Sequence, residues 1–223
     1  MNAVRAGFFL AAAMGAYAQA PQADLSARMQ TISQALGVTC GYCHTADRGS
    51  GQPEPKKDIA RAMMAMTRDI NAKIEAAAGG PSKSVTQVEC ITCHRGVAIP
   101  RQLGDILTQT LKNQGVEAAI AQYKDLRNRY YGSGAYDFGD TTIVNIAQPM
   151  ATRRPDDALA LLNAQLEFNP RSAKTLTAIA YAYTRKFDDA TAITYLEKAL
   201  EIEPENGLVQ GQLEQLKSYR RKK

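Results

Sequence analysis

The chain has 223 residues, enough for one or two domains, and its 45% hydrophobic content supplies material for ordinary cores. Its formal charge of +5 is uneven: residues 105–216 carry 15 acidic against 11 basic groups, while Lys217, Arg220, Arg221, Lys222 and Lys223 load the C-terminus with cations. No basic stripe interleaved with aromatics runs along it, so the basic balance belongs mostly to that tail and a nucleic-acid partner is excluded.

In chain order, residues 1–18 read as a secretory signal. Arg5 precedes an apolar run over residues 6–17, and Ala16-Tyr17-Ala18 offers a small-x-small cleavage site, with the cut after Ala18. The run is too short to span a bilayer, and no cysteine follows it closely, so the expected product is exported, periplasmic and free of a lipid anchor. A helix follows, with Leu25, Met29, Ile32 and Leu36 on one face and Gly37 at its end. The pentad Cys40-Gly41-Tyr42-Cys43-His44 comes next, then a polar, Gly- and Pro-rich loop over residues 45–55. A longer helix starts near Lys56, with Ile59, Met63, Met66, Ile70 and Ile74 on its apolar face, and Gly79-Gly80-Pro81 stops it. The second pentad, Cys90-Ile91-Thr92-Cys93-His94, is followed by Arg95-Gly96 and Pro100.

Beyond it, residues 106–123 and 124–131 read as helix, ending in Tyr130-Tyr131-Gly132-Ser133-Gly134. Ala158, Leu162 and Pro170 then recur 34 residues later as Ala192, Leu196 and Pro204, the tetratricopeptide period of one helix–turn–helix unit per repeat. The second unit has Leu176, Ala180 and Tyr183 on its first helix and Ala192, Leu196 and Ala199 on its second. In the first unit Pro149 is expected to break or kink the opening helix. Residues 206–219 read as a terminal helix covering the last repeat. Met150 is expected in the core.

The two pentads carry the chemistry. C-x-x-C-H is the attachment signature of c-type haem: two thiols form thioethers to the porphyrin, and the adjacent imidazole ligates the iron. All four cysteines and both histidines of the chain are spent on them. An all-thiolate zinc site would not need histidine after both pairs, and a redox dithiol would open a helix after a strand, which the pattern here lacks. With no histidine left for the far side of either iron, methionine is the remaining soft ligand. Met29 is the candidate in the first helix; Met63 and Met66 share the face of the second, and Met64 points about a quarter-turn away. All of them could instead be flexible core filler.

Met29-Gln30-Thr31-Ile32 ahead of the first pentad, Ala60-Arg61-Ala62-Met63-Met64-Ala65-Met66-Thr67-Arg68-Asp69-Ile70-Asn71, and Val88-Glu89-Cys90 through His94-Arg95-Gly96 resemble the cytochrome c subunit of photosynthetic reaction centres. The similarity covers about residues 24–101. It implies Met29 as sixth ligand for the haem on Cys40 and Cys43, and Met63, with Met66 as second choice, for the haem on Cys90 and Cys93. The chain departs from the family in carrying one haem pair where that subunit usually carries two. It also lacks a histidine ligand between the second methionine and the second pentad.

The expected fold is all-α: a dihaem c-type cytochrome unit of duplicated helix–pentad modules over residues 19–105, a tetratricopeptide-like stack over 106–219, and a basic tail at 220–223. The expected function is single-electron transfer, with two covalent haem c groups, between periplasmic or membrane-bound redox partners docked through the repeats, a photosynthetic reaction centre among them. Two other classes compete. A dihaem peroxidase-type enzyme would need a distal acid–base group with no histidine to serve, and a repeat scaffold would carry its haems incidentally.

Overall fold

The computed structural model describes residues 22–44, 55–80 and 84–220. The signal segment, the cut after Ala18, the greater part of the loop over residues 45–55 and the last three basic residues lie outside them. Among the described residues every regular element is helical, as the periodicities predict.

The first stretch is sparse. Helix α1 (Gln22–Leu36) ends at Gly37, whose φ of +64° only glycine adopts without strain. A 3-10 turn (Cys40–Tyr42) holds the first pentad. Helix α2 (Pro55–Ala77) stops where Gly79 and Gly80 take positive φ, and α3 (Cys90–His94) is the second pentad itself. Helix α1 packs on α3, and the Gly96 N–H donates to the Ala35 carbonyl at 2.8 Å. A Cβ at Gly37 would lie 2.0 Å from the Gly96 oxygen, so the two backbones touch where a side chain cannot fit.

The remainder is a continuous stack of α4 (Leu103–Gln114), α5 (Val116–Tyr130), α6 (Asp140–Met150), α7 (Pro155–Phe168), α8 (Ala173–Arg185), α9 (Asp189–Ile202) and α10 (Gly207–Arg220). Each helix packs on its sequence neighbour within the pairs α4–α5, α6–α7 and α8–α9, and α7 joins α8 while α10 closes on α9. The break in the 106–131 region falls at Gly115, φ +93°, rather than between residues 123 and 124: glycine supplies the sharp turn there, and the apolar period runs on across it. Pro149 does not split α6. It lies in the last turn, where its missing N–H forgoes a bond to the Asn145 carbonyl while the Ala151 N–H still donates to Ala147.

Two apolar clusters hold the stack. Leu107, Tyr123, Ile143, Leu161, Leu162 and Ile179 are the centre of the first, and Met150 packs partly buried against it. Leu176, Ala180, Ala192, Leu196, Ala199 and Val209 form the second. Helix α8 serves both because Ala178 and Ala182 face one side and Ala173 and Ala180 the other, and methyl side chains let its neighbours approach closely. The N-terminal stretch has no such interior: among the described residues before Leu103, Ala35 alone is a buried hydrophobic.

Candidate haem-binding site

All four thiols are free; Cys43 and Cys90 are half-buried, Cys40 and Cys93 exposed. No three His, Cys, Asp or Glu side chains converge on one point among the described residues, so the thiols present themselves as two separate pairs, each with its histidine. In the first pentad the Tyr42 N–H donates to the Thr39 carbonyl and the His44 N–H to the Cys40 carbonyl at 2.9 Å. That tight turn keeps Cys40, Cys43 and His44 within one coil of backbone. The Lys56 ammonium lies 3.8 Å above the Tyr42 ring and ties the start of α2 to this turn.

The second pentad is better fixed. Glu89 and Thr92 form a capping box at its start, in which the Glu89 N–H donates to Thr92 Oγ1 at 3.0 Å. Arg95 closes it in the left-handed region, φ +49°, and its guanidinium donates to the Gly134 carbonyl at 3.0 Å. His94 Nδ1 lies 3.0 Å from the Val97 carbonyl oxygen. A carbonyl only accepts, so the proton sits on Nδ1 and the Nε2 lone pair is left to bind a metal.

Helix α2 presents two faces, only one of them singled out by the sequence reading. Ile59, Met63 and Met66 lie on the apolar face and are 58%, 45% and 48% exposed, so the protein itself does not cover them. Met64, Thr67, Arg68 and Asn71 occupy the other at helical spacing and line a cavity of about 690 Å³ shared with α1 and Cys90. The signal for this second face was there, an i, i+3, i+4, i+7 series, but its polar members hid it. Met29 is half-buried on α1 and does not line that cavity. Asn71 is a site residue that motif reading quoted without assigning a role: its amide donates to the Val88 carbonyl at 2.9 Å and accepts from the Val88 N–H at 2.7 Å.

These residues fit a covalently held haem. The thiols are unpaired, His94 has its Nε2 free, and the thioether side chains of Met63 and Met66 are about half exposed on one face of α2. No helix among the described residues is long and apolar enough to cross a membrane. A second cleft, about 820 Å³, adjoins Arg95 where the pentad meets the stack and is lined by Arg101, Leu103, Tyr136, Asn145 and Met150 among others.

Comparison with known proteins agrees with this chemistry. A stretch of 65 residues is 40% identical to cytochrome c-554 of Chloroflexus aurantiacus, covering 29% of this chain and 15% of that one. A stretch of 83 residues is 29% identical to the photosynthetic reaction center cytochrome c subunit of Rubrivivax gelatinosus, covering 36% of this chain and 21% of that one. The chain thus spans a minor part of the length of either relative. The family match extends beyond the motifs into α4 and α5: residues 40–138 of this chain are similar to the photosynthetic reaction centre cytochrome C subunit.

Proposed function

We propose that the protein is an exported dihaem c-type cytochrome that passes single electrons between redox partners outside the cytoplasm. Cys40 and Cys43 hold one haem, with His44 and Met29 as iron ligands; Cys90 and Cys93 hold the other, with His94 and Met63, and Met66 is the second choice. Bound haem c supplies a one-electron iron couple, and a histidine–methionine pair on each iron would leave no open position for a substrate. The chain contributes the thioether anchors and the imidazole orientation set by the Val97 carbonyl. The donor or acceptor is a redox protein or a membrane electron-transfer complex, a photosynthetic reaction centre on the family's pattern. The helix pairs after residue 106 act as a tetratricopeptide-like docking stack.

One observation carries the reading. Among the described residues before Leu103, Ala35 is the one buried hydrophobic, while Ile59, Met63 and Met66 on α2 stay exposed. A segment of this size without an interior is not stable by itself, and two covalent porphyrins supply the missing one. Protein from a host that matures c-type cytochromes should carry the mass of two added haems. Its oxidised spectrum should show a weak far-red methionine–iron band, and Met29→Ala or Met63→Ala should each remove about half of it, one iron's share. Colourless protein holding zinc would refute the proposal. A band that survives both substitutions would refute the ligand assignment.

A further inference from the structure

Helix α2 carries the thioether ligands proposed for the second haem, and among the described residues it packs closely against no other helix. Its described ties to the rest of the haem region are few. Lys56 lies over Tyr42 at one end, and Gln87 Nε2 donates to Glu75 Oε1 at 3.1 Å in an exposed contact at the other. Between them is a bidentate contact, part-buried: the Asn71 amide pairs with both backbone groups of Val88, donating at 2.9 Å and accepting at 2.7 Å. A side-chain amide in this pose imitates a neighbouring strand. Two antiparallel hydrogen bonds fix both separation and rotation, where one would leave a hinge.

What it fixes is specific. Val88 is two residues before Cys90, and the capping box at Glu89 starts α3 immediately, so the position of residue 88 is passed rigidly to Cys90, Cys93 and His94. On the other side, Asn71 lies on the same rigid helix as Met63 and Met66. We infer that Asn71 is a positioning residue for the second haem: its amide sets the spacing between the helix that offers the sulfur and the helix that offers the imidazole. A thioether is a weak ligand, so its occupancy depends on being held within reach without strain. This rests on the haem reading proposed above.

The test uses the matured, haem-loaded full chain, with Asn71→Leu removing both hydrogen bonds at similar volume and Asn71→Asp retaining only the acceptor. Gln87→Ala cuts the neighbouring exposed contact as a control. Mass spectrometry, the far-red band and the two midpoint potentials are read on each. Expected: Asn71→Leu keeps two haems, loses about half of the methionine band, and lowers one potential while the other is unchanged, because losing methionine ligation lowers the potential of that iron. Asn71→Asp moves the same potential by less, and Gln87→Ala matches the wild type. A wild-type band and wild-type potentials in Asn71→Leu would overturn the inference. So would equal change at both irons, or loss of one haem mass, which would assign Asn71 to folding or maturation. A wild type with no methionine band would sink the ligand reading and the inference with it, whereas a wild-type band that Asn71→Leu leaves intact sinks the inference alone.

Discussion

Phe187 turns the chain between α8 and α9 at φ +61° with 91% of its surface exposed. A bulky side chain in the left-handed region costs about 1–2 kcal/mol, and an exposed ring recovers little of it. Phe187→Gly should relieve that strain. Glycine's greater freedom in the unfolded chain returns about 0.5–1 kcal/mol, which leaves a net gain of about 0.5–1 kcal/mol, or roughly 2 °C in Tm for a chain of this size. Thermal melts followed by circular dichroism check this; a lower Tm would show that the ring has a packing role. Gly37 is the opposite case. There the left-handed turn is occupied by the residue that suits it, and the Gly96 oxygen leaves no room for a Cβ. Sequence marked Gly37 as a helix end, but its second duty, letting the α1 terminus touch the segment after the second pentad, depends on a partner 59 positions away.

At the scale of elements, the joint between α6, α7 and α8 is polar. The Asp140 carboxylate, at the start of α6, accepts from Ser172 Oγ at 2.5 Å, Asn169 Nδ2 at 2.7 Å and Gln165 Nε2 at 2.9 Å. Gln165 in turn accepts from the Tyr123 hydroxyl, and Gln165, Ser172 and Tyr123 are all buried. Burial pulls the Asp140 carboxyl upward, but the hydrogen bonds from Ser172, Asn169 and Gln165 and the charge of Lys174 outweigh it and hold the group below its usual range. Because the folded value is the lower one, the stabilisation is complete above the unfolded value near 4 and is lost as pH falls through the folded value. Asp140→Asn should therefore flatten the acid limb of the stability profile and cost about 2 kcal/mol at neutral pH, the value of hydrogen bonds to a charged group. Denaturant melts of both proteins across pH 2–7 measure it; parallel acid limbs would contradict the assignment. None of this network shows in sequence, since its members are scattered over residues 123–172. The 34-residue recurrence does show: it marks Ala158 and Leu162 on α7 and Ala192 and Leu196 on α9, and all four are buried.

The whole molecule divides by how it fills its interior. From Leu103 onward, apolar side chains bury one another in two clusters that share α8. Before it, among the described residues, Ala35 is the one buried hydrophobic, and Ile59, Met63 and Met66 on α2 stay exposed beside two pairs of free thiols. Chain made without haem attachment should therefore be unequal in its resistance to attack. Brief proteolysis should digest residues 22–101 and leave a fragment that begins near Leu103, while the matured protein resists over its whole length. N-terminal sequencing and mass of the surviving fragment decide this. Cleavage spread evenly along the haem-free chain would mean that the stack also needs the haems to fold.

Sequence by itself determined the two thiol–thiol–imidazole pentads, the helical class, the helix stops at Gly37 and Gly79-Gly80, and the family resemblance. Each is local: thiol, thiol and imidazole at fixed spacing, apolar positions at helical period, and glycine or proline where helices stop. Only the tertiary structure decided which face of α2 is covered, that Asn71 clasps Val88, that His94 leaves Nε2 free by donating to Val97, and that the break between α4 and α5 falls at Gly115. The physical reason is range. Hydrogen bonds between segments and the covering of apolar faces depend on which distant residues fold into contact, and a one-dimensional pattern does not carry that.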